Sequence, residues 1–395
     1  MVWFWGLVNG GCAVDITDIE SANAWMAKQT PQIQLWFASR CALRNLPSLK
    51  NPDNSKDKAI VDQFVLAVFR ANLLASVAST LPEAKWLDLR EQSQSVAEFC
   101  RHAENGADSV ALLGNSQDDL IETAQNLANF ILSTTEGSVN RNPKRKPHLQ
   151  HQLFSNNLRG YFGFPELVEQ ANRDANEPLV WPPLWHAHPI PDDLEKLWER
   201  LATALENSPR EWEFWHRWYK GILVGEPLDW GLQRDVAQIP GEDWEQGPAH
   251  VAKLIAGIRE KHRLKARIAE LEEALEVASN SRFGVGGNNP PEPIENAPEI
   301  SRELIFILAP LQELKAETEA EVPDRRRIGK AVETLQKILM SCTRWAGKKL
   351  DHGVTAAFVT AGAAGGKDLW DWIAANSDKI AKVIEAAKAW LPFVP

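Results

Sequence analysis

The sequence predicts an all-α protein. Apolar residues recur at three- and four-residue spacing in almost every periodic segment. Few stretches alternate at period two, and no Val/Ile-rich runs are bounded by hairpin turns. The expected architecture is a multi-helix N-terminal domain ending in a long helix, then a linker, then a small C-terminal helical module.

Residues 1–14, MVWFWGLVNGGCAV, make an apolar N-terminus. They lack the basic n-region of a secretory signal. They are also shorter than the ~20 apolar residues of a membrane span, so they read as a segment tucked on the first domain. That helical domain is assigned to 15–280. In 18–29, Ile19, Ala22, Trp25 and Met26 share one face. Residues 31–46 follow, with Pro31 suited to a first helical turn. Residues 57–80 carry Ile60, Phe64, Val65, Val68, Leu73, Leu74 and Val77, a long and strongly apolar helix. Two more helices are expected near 90–104 and 115–135. Gly137, Asn140, Asn142, Pro143 and Pro147 then break the pattern around a basic run, Arg141, Lys144, Arg145 and Lys146. The segment 173–192 is polar, then rich in proline, and is expected to loop across the surface.

Aromatic residues dominate the module 180–247, where eight of the chain's 17 tryptophans fall between Trp181 and Trp244. Ser208-Pro209-Arg210-Glu211 has the form of a capping box with proline at the first helical position. The following helix places Trp212, Trp215, Tyr219 and Ile222 on one face, which Phe214 and Trp218 widen. Gly221, Gly225 and Pro227 supply its stop signals. A further helix is expected from Asp229, ended by Pro240-Gly241.

A single long helix is expected over 248–279. One heptad position holds Leu254, Lys261, Ile268 and Leu275, and the other holds Gly257, Leu264, Leu271 and Ala278. Arg259, Lys261, Arg263, Lys265 and Arg267 precede Glu270, Glu272, Glu273 and Glu276, an order that opposes the helix macrodipole. An antiparallel copy, or another helix, bringing opposite blocks together would make it favourable. Residues 281–299 read as a Gly/Pro linker. The C-terminal module, 300–395, opens with a hairpin, 300–320 and 324–350, broken at Pro323, with Pro310 inside its first helix. Ile328, Val332, Leu335, Leu339, Cys342 and Trp345 form the stripe of the second helix. Small residues follow over 353–366, then an amphipathic helix over 377–391.

Composition narrows the function classes. A net charge of −10 over 395 residues argues against a chain that coats nucleic acid. The four cysteines, Cys12, Cys41, Cys100 and Cys342, show no disulfide or zinc spacing and read as reduced cytoplasmic thiols. His148 and His151, with His186, His188, Asp192 and Asp193, could in principle hold zinc, but nothing in the sequence brings the pairs together. No metal is therefore expected. The Gly284–Gly287 stretch lacks the lysine and following helix of a phosphate loop, so no cofactor is expected either. Glu213 and His216 lack a nucleophile or second carboxylate at useful spacing, so no catalytic residue is assigned.

Trp215-His216-Arg217-Trp218-Tyr219, with Gly225 and Trp230 after it, resembles a block found in uncharacterised alphaproteobacterial proteins. The run Gly284-Val285-Gly286-Gly287-Asn288-Asn289-Pro290-Pro291-Glu292 is similar to a Gly-His-Asn-Asn-Pro-Pro-Glu linker of the same group, with Gly287 where histidine is usual. The resemblance implies a bacterial, modular protein and carries no catalytic residue.

The expected function is a cytoplasmic helical scaffold or adaptor acting through a protein partner or self-association. Trp212, Trp215, Trp218 and Tyr219, with the seam Leu264, Ile268, Leu271 and Leu275, are its candidate interaction residues. The alternative is a conditional membrane-active effector whose 300–395 module is controlled by the N-terminal domain. Its candidate membrane contacts are Trp370, Trp372, Ile380, Val383, Ile384 and Trp390.

Overall fold

The computed structural model describes residues 15–49, 58–106, 115–139, 165–185, 190–280, 305–348 and 367–395. The N-terminus 1–14, most of the basic break 136–150, the linker 281–299 and the small-residue stretch 353–366 lie outside these residues, as do His148, His151, His186 and His188. Among the described residues the only regular structure is helical, as the periodicity predicts. The chain divides into two units, Met1–Ile255 and Ala256–Pro395. That division falls inside the Pro248–Asn280 helix rather than at the linker.

In the first unit the Lys58–Thr80 helix packs against Pro31–Asn45, Arg90–Gly106, Asn115–Val139 and Trp230–Ala237. Nearly every residue from Phe64 to Ser79 is buried, including Arg70, Asn72, Ser76 and Ser79. A helix that is apolar on all sides belongs in a core. Two of its small polar residues donate within the helix, Asn72 Nδ2 to the Val68 carbonyl at 2.8 Å and Ser79 Oγ to the Ser76 carbonyl at 2.7 Å, and Ser76 Oγ meets Ser39 Oγ of the neighbouring helix at 3.1 Å. Among the described residues, Val61–Thr80 alone is long and apolar enough to cross a bilayer, and 94% of that stretch is buried within the chain.

Local signals are met unevenly. Thr30 caps the helix that Pro31 begins. Asp18 and Ser21 form a reciprocal cap at Ile19–Met26. The box expected at Ser208 does not form. Ser208 has φ −124° and ψ 58° with no side-chain cap bond, and Glu211 instead stands 3.6 Å from Lys58. Only Ser208 separates the Asp192–Asn207 helix from Pro209–Val224, which keeps its backbone out of the extended conformation a cap prefers. At the other end Gly225 adopts φ 75°, Glu226 N donates to Gly221 O at 2.8 Å, and Gly225 N to Ile222 O at 3.2 Å. This is a Schellman stop, and glycine takes its left-handed position without strain.

Several helices fall outside the sequence expectation, the two longest being Asp192–Asn207 and Pro165–Asn176; Lys367–Ala375 and the short Gly241–Trp244 are others. Pro165–Asn176 buries Gln170 and Asp174 beside Leu167, Ala171 and Ala175. Two of its inward positions are therefore polar, and its apolar periodicity is thin.

The second unit comprises the rest of the long helix with Ile305–Glu319, Arg325–Lys348, Lys367–Ala375 and Ser377–Trp390. Leu264, Ile268, Leu271 and Leu275 pack in one cluster with Ile307, Leu311, Leu314, Ile328, Leu335 and Ile380. The helix passes close to Phe393 at Gly257: a Cβ there would lie 3.0 Å from the Phe393 side chain, so that side chain would have to give way by a few tenths of an ångström. The expected stripe of the Arg325–Lys348 helix is buried at Ile328, Val332, Leu335 and Cys342, with Leu339 partly buried. The Trp345 side chain lies outside the described residues.

Candidate interaction surface

The sequence offers Trp212, Trp215, Trp218 and Tyr219 as an interaction face, but each is no more than 1% exposed. They line the core of the first unit. Phe69 stacks on Trp215 at 5.1 Å between centroids, meets Trp218 edge-on at 6.1 Å and lies tilted to Trp212 at 6.3 Å. Trp218 Nε1 donates to Gln233 Oε1 at 2.8 Å, and the Tyr219 hydroxyl donates to the Leu43 carbonyl at 2.9 Å. Burial raises the pKa of that hydroxyl, so it stays a donor. Two of these rings have their polar handles satisfied inside, whereas Trp212 Nε1 is buried without a hydrogen-bond partner among the described residues.

The seam residues are corrected in the same way. Leu264, Ile268, Leu271 and Leu275 are covered by helices of their own unit. The charge order of the long helix is answered there too. Glu272 pairs with Lys315 at 2.9 Å. Glu270 lies below the usual carboxylate range, first through its hydrogen bond from Arg267, then through the charges of Lys382 and Lys379. The helix that meets the acidic block is thus supplied by this chain.

The candidate membrane contacts Ile380, Val383, Ile384 and Trp390 point into the same core, and Trp372 packs partly buried against it. Trp370 belongs to Lys367–Ala375, but its side chain lies outside the described residues. Membrane contact through the buried four requires that core to open.

The surface that remains is built around residues 178–185, read from the sequence as a surface loop. Its end is anchored: Leu184 and Trp185 are buried, and the backbone is strapped to the Pro31–Asn45 helix. The donors stand four residues apart on that helix, at 36, 40 and 44, so they share one face. Trp36 Nε1 donates to Val180 O at 3.1 Å. Arg40 Nη1 and Nη2 donate to Pro182 O and Pro183 O at 3.3 and 3.2 Å. Arg44 Nε and Nη2 donate to Leu184 O at 3.0 and 2.8 Å. Both guanidiniums also share Asp174, Arg40 Nε at 2.9 Å and Arg44 Nη1 at 2.6 Å. All three side chains are fully buried. Removing one member of such a set costs about 3–5 kcal/mol. Sequence reading missed this clamp because Arg40 and Arg44 lie in an otherwise ordinary helix and their acidic partner is 130 residues away.

The strap leaves apolar groups outside. Leu179 holds φ 67°, the only non-glycine with positive φ among the described residues. Four large hydrophobic residues are exposed in the described part of the first unit: Leu87, Leu179, Val180 and Val224. Three of them belong to the strap and the helix end it abuts. Leu184 N donates to Leu223 O at 3.2 Å, and a Cβ on Gly225 would stand 2.5 Å from Pro183 N. Trp181 and Trp230, both partly exposed, pack 5.1 Å apart beside them.

Among the described residues no cluster of three or more His, Cys, Asp or Glu is placed to hold a metal ion. No family model matches this chain, and neither a curated protein nor a solved structure matches it.

Proposed function

We propose that this chain is a helical scaffold or adaptor that works by protein–protein contact, and that the contact is made at the strap. The observation that carries the reading is the exposure of Leu179 and Val180 on a strap tied down by buried arginines, and of Val224 at the helix end the strap abuts, 42%, 39% and 54%. A surface fixed in advance loses little entropy when it docks. The left-handed Leu179 supports it, since local backbone strain concentrates at functional sites. The partner expected is an apolar segment of another protein, seated on Val180, Pro183 and Val224 with Trp181 and Trp230 as aromatic anchors. The aromatic face expected from the sequence is thereby moved from Trp212, Trp215 and Trp218 to the rings left at the surface.

A photo-crosslinker at position 224 in the full chain tests this in the source cell, with a crosslinker at exposed Glu199 as control. The expected result is one discrete adduct at 224, lost in Val180→Glu, with no such adduct at 199. The native mass of the purified chain separates a second copy from a different protein. No adduct at 224, together with a monomer at high concentration, overturns the reading.

A further inference from the structure

Arg70 lies in the middle of the Lys58–Thr80 helix and is 2% exposed. Its Nη1 donates to Ser95 Oγ at 3.2 Å. Its guanidinium carbon lies over the Trp244 ring, 4.7 Å from the centroid. Nε and Nη2 are both buried and have no hydrogen-bond partner among the described residues. These two nitrogens form one side of the planar group, a pair of roughly parallel N–H donors. That edge has the spacing of two oxygens on one carboxylate or phosphate.

The surroundings hold the fork in place. The Trp244 ring is fixed by its own Nε1, which donates to Ile239 O at 3.0 Å. Gln63 Nε2 donates to the carbonyl of the next residue, Glu245, at 3.2 Å. Gly241 lets the turn settle on Ser95, since a Cβ there would stand 2.3 Å from Ser95 Oγ. Burial pushes the Arg70 guanidinium down to about 9, which still leaves it cationic at neutral pH. A buried cation whose donors stay unmatched is strongly disfavoured.

We propose that Arg70, braced by Ser95 and Trp244, is the donor fork of a buried oxyanion site that takes a small carboxylate- or phosphate-class anion under the 240–247 turn. The site is separate from the strap surface and does not depend on it. Two sources offer the same oxyanion chemistry: a free anion, and the carboxylate of Glu245, whose charge acts on Arg70 after that of the Cys100 thiol. The structure favours the free anion, because the Glu245 side chain is exposed and makes no hydrogen bond to the fork among the described residues.

The test uses the full chain titrated with inorganic phosphate, and separately with formate, against chloride at matched ionic strength. Thermal unfolding and the Arg70 Nε–H resonance are followed together. A saturable rise in Tm and a saturable movement of that resonance are expected, specific to the oxyanions. Arg70→Lys keeps the charge but loses the fork, and should weaken the apparent affinity by roughly tenfold or more. If Arg70→Lys does not fold, the resonance of the unaltered protein decides alone. No oxyanion-specific change in either signal, or equal affinity in Arg70→Lys, overturns the proposal. So does a resonance that ignores phosphate but moves in Glu245→Gln, because the fork then belongs to the chain's own carboxylate.

Discussion

The Pro209–Val224 helix of the first unit and the 256–280 stretch of the second each present one apolar stripe in sequence, and both stripes end inside the chain. They are closed in different ways. In the first, three large rings bring polar atoms that are matched in the core, Trp218 to Gln233, Tyr219 to the Leu43 carbonyl and Trp244 to the Ile239 carbonyl, while Trp212 Nε1 is buried without a hydrogen-bond partner among the described residues. In the second, Leu264, Ile268, Leu271 and Leu275 bring none, and the acidic block of the long helix stays at the rim, where Lys315 meets Glu272. The first core is specified by direction as well as volume, the second mainly by volume. An amphipathic stripe therefore says that a face will be covered, and the polar handles on it say how narrowly the cover is specified.

Truncation gives the largest effect. Trp218→Ala should cost about 3–5 kcal/mol from lost volume. A further ~1–3 kcal/mol is expected because Gln233 Oε1 loses its donor in a buried site. Leu271→Ala should cost about 2–5 kcal/mol with no polar remainder. Urea unfolding of the full chain measures both, and a smaller loss for Trp218→Ala than for Leu271→Ala would reverse the comparison.

Conservative exchange sharpens it. Trp218→Phe keeps an aromatic ring but strands the same acceptor, so about 1–3 kcal/mol should still be lost. Leu271→Met conserves volume and adds no hydrogen-bond requirement, so the loss should stay under about 1.5 kcal/mol. Equal costs in this pair would mean that the handles in the first core contribute nothing beyond packing.

The same contrast explains what was legible in the chain. Apolar spacing located Lys58–Thr80, Pro209–Val224 and the long helix, because burial of a stripe is written into period 3.6. It could not tell whether the cover would be this chain or another, because that depends on residues far along the sequence, such as Phe69 for Trp215 or Lys315 for Glu272. Pro165–Asn176 was illegible for the opposite reason. Asp174 is buried only because Arg40 and Arg44 reach it, and a carboxylate on its own reads as surface. The strap was hidden by its prolines, which look like a loop and become a fixed edge once their carbonyls meet a row of donors. The fork on Arg70 had no signature at all, since an arginine inside an apolar helix shows its unmatched edge only when the neighbours are in place.

The smallest expected effect lies at the edge of the first core, where Asp62 is 6% exposed and pairs with Lys58. Burial raises the Asp62 pKa above its ordinary 3.8, and the Lys58 hydrogen bond and charge lower it by less. The folded chain therefore holds the Asp62 proton more readily than the unfolded chain does. Ionised Asp62 is a penalty at neutral pH, and the penalty is relieved as pH falls through the raised folded value and is gone below 3.8. Asp62→Asn should accordingly be more stable than the unaltered chain at pH 7, by a few tenths of a kcal/mol, while Lys58 keeps Glu211 at 3.6 Å. The difference should shrink to nothing below the ordinary carboxylate range. Urea unfolding at pH 7 and near pH 3 measures it. A variant less stable at pH 7 would show that the Lys58 pair outweighs burial, and that directional matching extends from the tryptophan core to its rim.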